Sequence, residues 1–192
     1  MFKRFSQDDV SSSSQVKSSV QRGFRAKLLD QFPNCEPYLE DILPKKGNVT
    51  IAKCKDRVSL ICCDGVPLFF QQRDGHIFPT LRVLHKYPNM MPTMQVDKGA
   101  ISFVMNGANI MCQGFTSNGG RIETPLEAGA PVCIFAEGKK VALAVGLTTM
   151  STADIQSVNK GSGVENLHYL GMGSLAPRRY TDVCAFSLLP SW

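Results

Sequence analysis

Apolar residues recur four apart at Val16, Val20, Phe24, Leu28 and Phe32, which draws one stripe along a helix that Pro33 ends. The serine run Ser11–Ser14 offers caps just before it. Glu36 and Pro37 suit the first turn of a short second helix carrying Leu39, Ile42 and Leu43, and Pro44 with Gly47 closes it. The pattern then turns to β-structure. Val49–Cys54 and Val58–Cys63 are β-rich, and Asp64-Gly65 before VPLFFQQ is a two-residue hairpin signal, since both central positions favour positive φ. Arg73–His76 forms another turn, and Pro79-Thr80 opens the short helix TLRVLHKYP, which Pro88 and Pro92 terminate.

Past Pro92 the chain reads as short strands with frequent glycines, the mark of a small barrel rather than a helix bundle. Asp97 is placed to cap a helix over KGAISFVMNG, with Ile101, Val104 and Met105 inward and Gly107 as a left-handed stop. ANIMCQGF, Arg121–Pro125, Val132–Ala136 and Val141–Leu147 read as strands. Glu137-Gly138-Lys139-Lys140 is a hairpin turn with its lysines in solvent. A last helix spans about Thr152–Asn159, capped by Ser151, before the strand ENLHYL. The pattern predicts an α+β protein: residues 1–92 form helices on a small antiparallel sheet, and residues 93–172 form a barrel-like second domain. The segment 173–192 reads as an atypical tail in which Pro177 and Pro190 interrupt any periodicity.

Composition narrows the classes. The 192 residues are 43% hydrophobic and 19% charged, enough for a core that needs neither disulfide nor structural metal. No apolar run approaches a membrane span, and the basic start MFKRF lacks the apolar stretch of a secretory signal, which points to the cytosol. The seven cysteines are odd in number and none are spaced C-x-x-C, as expected of reduced core thiols. His76, His85 and His168 stand apart from any partner at metal-ligand spacing, so no metal or other cofactor is expected. The net charge of +5 is uneven: residues 1–92 hold 14 Lys and Arg against 9 Asp and Glu, and the remainder holds 7 against 7. That excess suits contact with phosphates and suits solubility equally.

The stretch VDKGAISFVMNGANIMCQG, followed by AEGKKVALAVG and NKGSGVENLHYL, resembles the PUA domain of RNA-modifying enzymes. Its paired small residues are Gly99-Ala100 and Gly107-Ala108, where the lack of bulk lets an RNA backbone approach. With FPNCEPYLEDILPKK, LFFQQRDGHIFPTLRVLHKYP and MPTMQVDKGAI before it, the chain over about residues 1–170 resembles the malignant-T-cell-amplified-sequence family, and also the first part of ligatin. The resemblance implies a C-terminal PUA pseudo-barrel. It further implies a translation factor that pairs with density-regulated protein, binds the small ribosomal subunit, and assists release of deacylated tRNA, recycling and reinitiation. Any zinc would belong to the partner.

Candidate residues follow. Lys98, Gly99 and Ala100, with Asn106, Gly107, Ala108 and Asn109, offer amides and small side chains to ribosomal RNA, while Lys139 and Lys140 form a cationic clasp. The two glycines also serve as plain cap and turn residues. Arg82 and Lys86, four apart on one helix, add phosphate contacts or else form a solvated basic face. Phe103 lies between inward positions, so it is either core or, with Ala108, an anchor for the protein partner. Thr80 is a phosphorylation candidate whose blander role is a helix cap. No nucleophile, base and orienting group can be named together, and residues 1–92 are too few for a pseudouridine synthase core, so no catalytic role is expected. The rival reading is an RNA-targeting accessory subunit of an RNA-modification enzyme.

Overall fold

The computed structural model describes residues 10–73 and 75–172, and these form two sheets dressed with short helices. The first sheet runs in chain order through β1 (Val10–Gln15), β2 (Val49–Cys54), β3 (Val58–Cys63), β4 (Val66–Gln72) and β5 (Ile77–Pro79), every pair antiparallel. Strands β2 and β3 keep the bounds of the two β-rich runs. Between β3 and β4, Asp64 (φ 50°) and Gly65 (φ 79°) both occupy the left-handed region, as a two-residue primed turn requires. Helix α1 (Ser18–Gln31) covers the sheet with Leu28, which is fully buried, and Phe24, whose ring meets Phe69 edge-on at 5.9 Å. A 3-10 turn over Pro33–Tyr38 leads into α2 (Leu39–Ile42), and α3 (Leu81–Lys86) follows β5.

The structure corrects the N-terminal reading in two places. Ser11–Ser14 are not caps but the body of β1, with Ser12 opposite Lys53 and Ser14 opposite Ile51. A strand edge offers these residues a row of backbone hydrogen bonds, more than one capping hydroxyl can satisfy, and α1 starts later, behind Lys17, without a side-chain cap. The apolar stripe also breaks: Val20 is 51% exposed and Gln21 is buried in its place, its Nε2 donating to the Pro44 carbonyl at 2.6 Å. Steps of four overshoot a 3.6-residue turn by about 40° each, so a five-member row cannot all face one core.

The second sheet has the order β7 (Ile110–Met111), β11 (Ser162–Tyr169), β10 (Ala142–Thr148), β9 (Pro131–Ala136), β6 (Thr93–Val96), β8 (Arg121–Ile122). All neighbours are antiparallel except β6, which runs parallel to β9. Register shifts at Ala142/Ala144, Val145/Gly146 and Ser162/Val164 bend the strands and curl the sheet into the pseudo-barrel. Its interior holds Met94, Val96, Ile134, Leu143 and Ile155, all essentially without solvent contact. Helices α4 (Ile101–Met105), α5 (Gln113–Thr116) and α6 (Thr152–Val158) lie around it. Ser151 caps α6 by accepting from the Asp154 amide at 3.1 Å.

Two expectations fail here as well. The predicted strand ANIMCQGF is β-structure only at Ile110–Met111; the Cys112 carbonyl then accepts from the Phe115 amide at 3.0 Å and opens α5. Cys112 and Phe115, three apart, are both buried, so helical spacing wins over alternation. Met105 is exposed rather than inward, which leaves Val104 as the buried anchor of α4 with Ile101 half-buried.

The two sheets share apolar contacts. Cys133, Ala142 and Val145 of the second sheet pack in the same cluster as Leu28, Phe69 and Met90, with Met91 in that cluster and Met94 in the other. All six described cysteines are buried free thiols, and burial pushes Cys62 up to about 11. Among the described residues no helix is long and apolar enough to cross a membrane. Arg178-Arg179, Cys184 and Trp192 lie outside the described residues.

Candidate nucleic-acid and partner interface

The α4 face is built from a cap. Asp97 Oδ1 accepts from the Ala100 amide at 3.1 Å, while the Asp97 amide donates to the Gly114 carbonyl at 2.9 Å, pinning the 3-10 turn Lys98–Ala100 against α5. Helix α4 follows and ends where Gly107 donates to the Val104 carbonyl at 3.0 Å with φ at +80°. A side chain at Gly107 is excluded twice, since its Cβ would also lie 2.8 Å from the Tyr169 hydroxyl.

The loop beyond α4 is held from β11. Asn166, 2% exposed, donates through Nδ2 to the Val104 carbonyl at 3.0 Å and the Ala108 carbonyl at 3.1 Å. Its backbone amide donates to Asn109 Oδ1 at 3.3 Å. Asn106, Ala108 and Asn109 are thereby presented, exposed, in one shape. Sequence reasoning missed Asn166. The available signal was an amide on the inward side of a period-two strand, between Val164 and His168.

Phe103 resolves its own ambiguity: it is 67% exposed. With Met111, half exposed on β7, it walls an open depression of about 260 Å³ whose floor and rim include Gly99, Ala100, Asn109 and Ser117. Lys98, at its edge, is not an unbalanced cation. Its Nζ lies 4.0 Å from Glu137 Oε1 and its amide donates to Glu137 Oε2 at 3.2 Å. This face is therefore apolar and small rather than basic.

The other cations lie on elements that meet at the seam between the two sheets. Leu81, Val83 and Leu84 bury one side of α3, and His85 Nε2 sits 2.9 Å from the Ala142 carbonyl at the start of β10. Ala142 is two residues beyond Lys140, so this contact holds α3 against the strand that follows the exposed Lys140 and half-buried Lys139 of the β9–β10 turn. The same turn reaches Lys98 through Glu137 on its other side. Elements from both halves of the sequence thus meet through His85 and Ala142. Lys86 pairs with Asp41 at 2.9 Å, both exposed, and Tyr87 also donates to that carboxylate. The Tyr87 hydroxyl and Lys86 hold Asp41 below the usual carboxylate range, and Tyr87 and Asp41 hold Lys86 above the usual lysine range.

The remaining candidates are engaged in packing. His168 is buried, meets Phe70 edge-on at 5.9 Å, and lies 3.3 Å from Met172 Sδ through Nδ1. Burial, with a smaller contribution from His85, pushes it down to about 4. His76 lies edge-on to Phe78. Thr80 occupies the N-cap position of α3 but makes no cap bond; its hydroxyl is 3% exposed and donates to the Pro67 carbonyl at 3.3 Å. A phosphate there requires α3 to leave its seat. Among the described residues, no group of three His, Cys, Asp or Glu could hold a metal ion.

Comparison with known proteins covers both halves. The model of the Pre-PUA-like domain matches residues 5–88 and that of the PUA domain matches residues 92–170. The chain is 51% identical to Malignant T-cell-amplified sequence 1 of Danio rerio over 174 residues, 90% of this chain and 96% of the relative. It is 49% identical to Translation machinery-associated protein 20 of Eremothecium gossypii over 173 residues, 89% and 95% of the two chains. Among solved structures, a hypothetical protein of Pyrococcus horikoshii shares the fold at a TM-score of 0.67 and 24% identity, covering 82% of this chain and 94% of that one.

Proposed function

Because the chain belongs to the malignant T-cell-amplified sequence family, we propose that it is a noncatalytic, RNA-binding translation factor of the cytoplasm that docks on the small ribosomal subunit. In this reading it works with density-regulated protein in deacylated tRNA release, subunit recycling and reinitiation. We assign Arg82, Lys86, Lys139 and Lys140 to one cationic arc, and what supports the assignment is the His85–Ala142 contact, which joins α3 to the start of β10. Such an arc meets phosphates on a folded RNA by position rather than by base identity. Lys98–Ala100 and Asn106–Asn109 are read as further contacts through their small side chains, which admit a ribose-phosphate chain closely, while the amides of Lys98, Ala100, Asn106, Gly107 and Ala108 already donate within the chain.

Phe103 and Ala108 are assigned to the protein partner. An exposed aromatic beside a shallow apolar depression has the character of an interface anchor.

Purified small ribosomal subunits, titrated with the chain in the presence and absence of density-regulated protein, test the proposal. Binding that tightens with the partner supports it. Conversion of uridine in RNA by the isolated chain overturns it.

A further inference from the structure

The N-terminal half carries a charge excess that the seam does not absorb, and part of it gathers at the far end of the first sheet. Lys53 and Lys55 leave β2, Arg57 enters β3, and Arg73 leaves β4, all four exposed. The β3–β4 register pairs Val58 with Gln72, so one step further Arg57 stands directly opposite Arg73, and the Arg73 amide donates to the Arg57 carbonyl at 2.8 Å. Two arginines joined by a backbone hydrogen bond add like charge to like charge. Both arginines also hold left-handed backbone, at φ 57° and 55°, where a side chain is strained and glycine is not. By sequence the same stretches also carry Asp56 and Asp74, two carboxylates against four cations.

Left-handed backbone and like charge thus coincide at one spot, where glycine at both positions would relieve them. Residues kept against local stability, in an exposed turn, point to a contact made outside the chain. We propose that Arg57 and Arg73, flanked by Lys53 and Lys55, form a second phosphate-binding site that grips the backbone of helical RNA, separate from the seam. Arginine suits this role because its planar fork meets two phosphate oxygens at once. The proposal rests on the RNA-binding reading above and adds a contact from the first sheet to it.

The test uses the full chain with two probes: purified small ribosomal subunits and a labelled 20-base-pair RNA duplex. Arg57→Gly is expected to raise the melting temperature by about 2 to 4 °C. Arg57→Gly with Arg73→Gly is expected to weaken duplex binding about tenfold and to lower the log-log salt slope by about 1 per arginine. Arg57→Lys with Arg73→Lys retains the slope, which a purely structural role would not predict. Duplex binding that is absent in the native chain, or indifferent to both arginines, overturns the site whatever the ribosome does. Weakening only of pairing with a protein partner transfers the cluster to protein recognition and overturns it too. If duplex binding depends on the arginines while the native chain ignores ribosomal subunits, the ribosomal reading fails and this site stands.

Discussion

The α4 face and the seam are both exposed and both contain predicted contact residues, but they are assembled in different ways. The α4 face is presented by one continuous stretch of chain, steadied from β11 by Asn166. Asp97, Gly107 and the Asn166 side chain shape one short turn-helix-loop segment, and what it offers is Phe103, Met111 and small residues. The seam is composite. Its cations come from α3 and from the β9–β10 turn, elements joined where His85 meets Ala142 and where Cys133, Ala142 and Val145 enter the first core. An apolar face of this kind suits a protein anchor, whereas a composite cationic arc depends on the two sheets staying docked.

The largest expected effect tests that docking. His168 is neutral in the folded seam because its pKa is pushed down to about 4, against about 6.5 when unfolded. The unfolded chain therefore binds the extra proton first, so stability falls as pH drops below about 6.5 and the loss is complete below about 4, amounting to about 3 kcal/mol. Urea unfolding of His168→Leu against the native chain from pH 7 to 4 checks this: the variant should lose less stability, and parallel curves would remove His168 from the account. On the α4 face, Gly107→Val forces a branched residue to positive φ and into the Tyr169 ring, and should cost about 2 to 3 kcal/mol in a denaturant melt. A loss below half a kcal/mol would mean the loop has another comfortable shape.

Phe103→Asp should leave folding almost untouched and weaken partner pairing by about 2 kcal/mol in a titration with density-regulated protein. Unfolding would instead show that the exposed ring supports the core. The smallest effect belongs to Lys139→Glu with Lys140→Glu, expected to weaken small-subunit binding about tenfold and flatten its salt dependence without changing the partner titration. Loss of both activities from either variant would dissolve the distinction between the two regions.

Much of the local structure was legible from residue pattern. The bounds of β2 and β3, the Asp64-Gly65 turn, the Asp97 and Ser151 caps and the Gly107 stop all follow from chemistry within a few residues. Where the pattern misled, a distant partner had intervened. Ser11–Ser14 carry good capping side chains, yet β2, some forty positions away in sequence, takes their backbone into a sheet. Phe103 could be placed on a helix but not on a side of it, because a five-residue helix has too few turns to define a face by periodicity.

By itself, the sequence determined many of the elements, among them β2, β3 and α6, and the left-handed turns at Asp64-Gly65 and Gly107, since these depend on dihedral preferences and short-range periodicity. Only the tertiary structure decided that Phe103 faces outward, that Asn166 holds the loop, that Thr80 is shut in, and that α3 meets β10 through His85. Those outcomes are set by contacts between residues far apart in the chain, and such contacts leave no mark on the spacing of either participant.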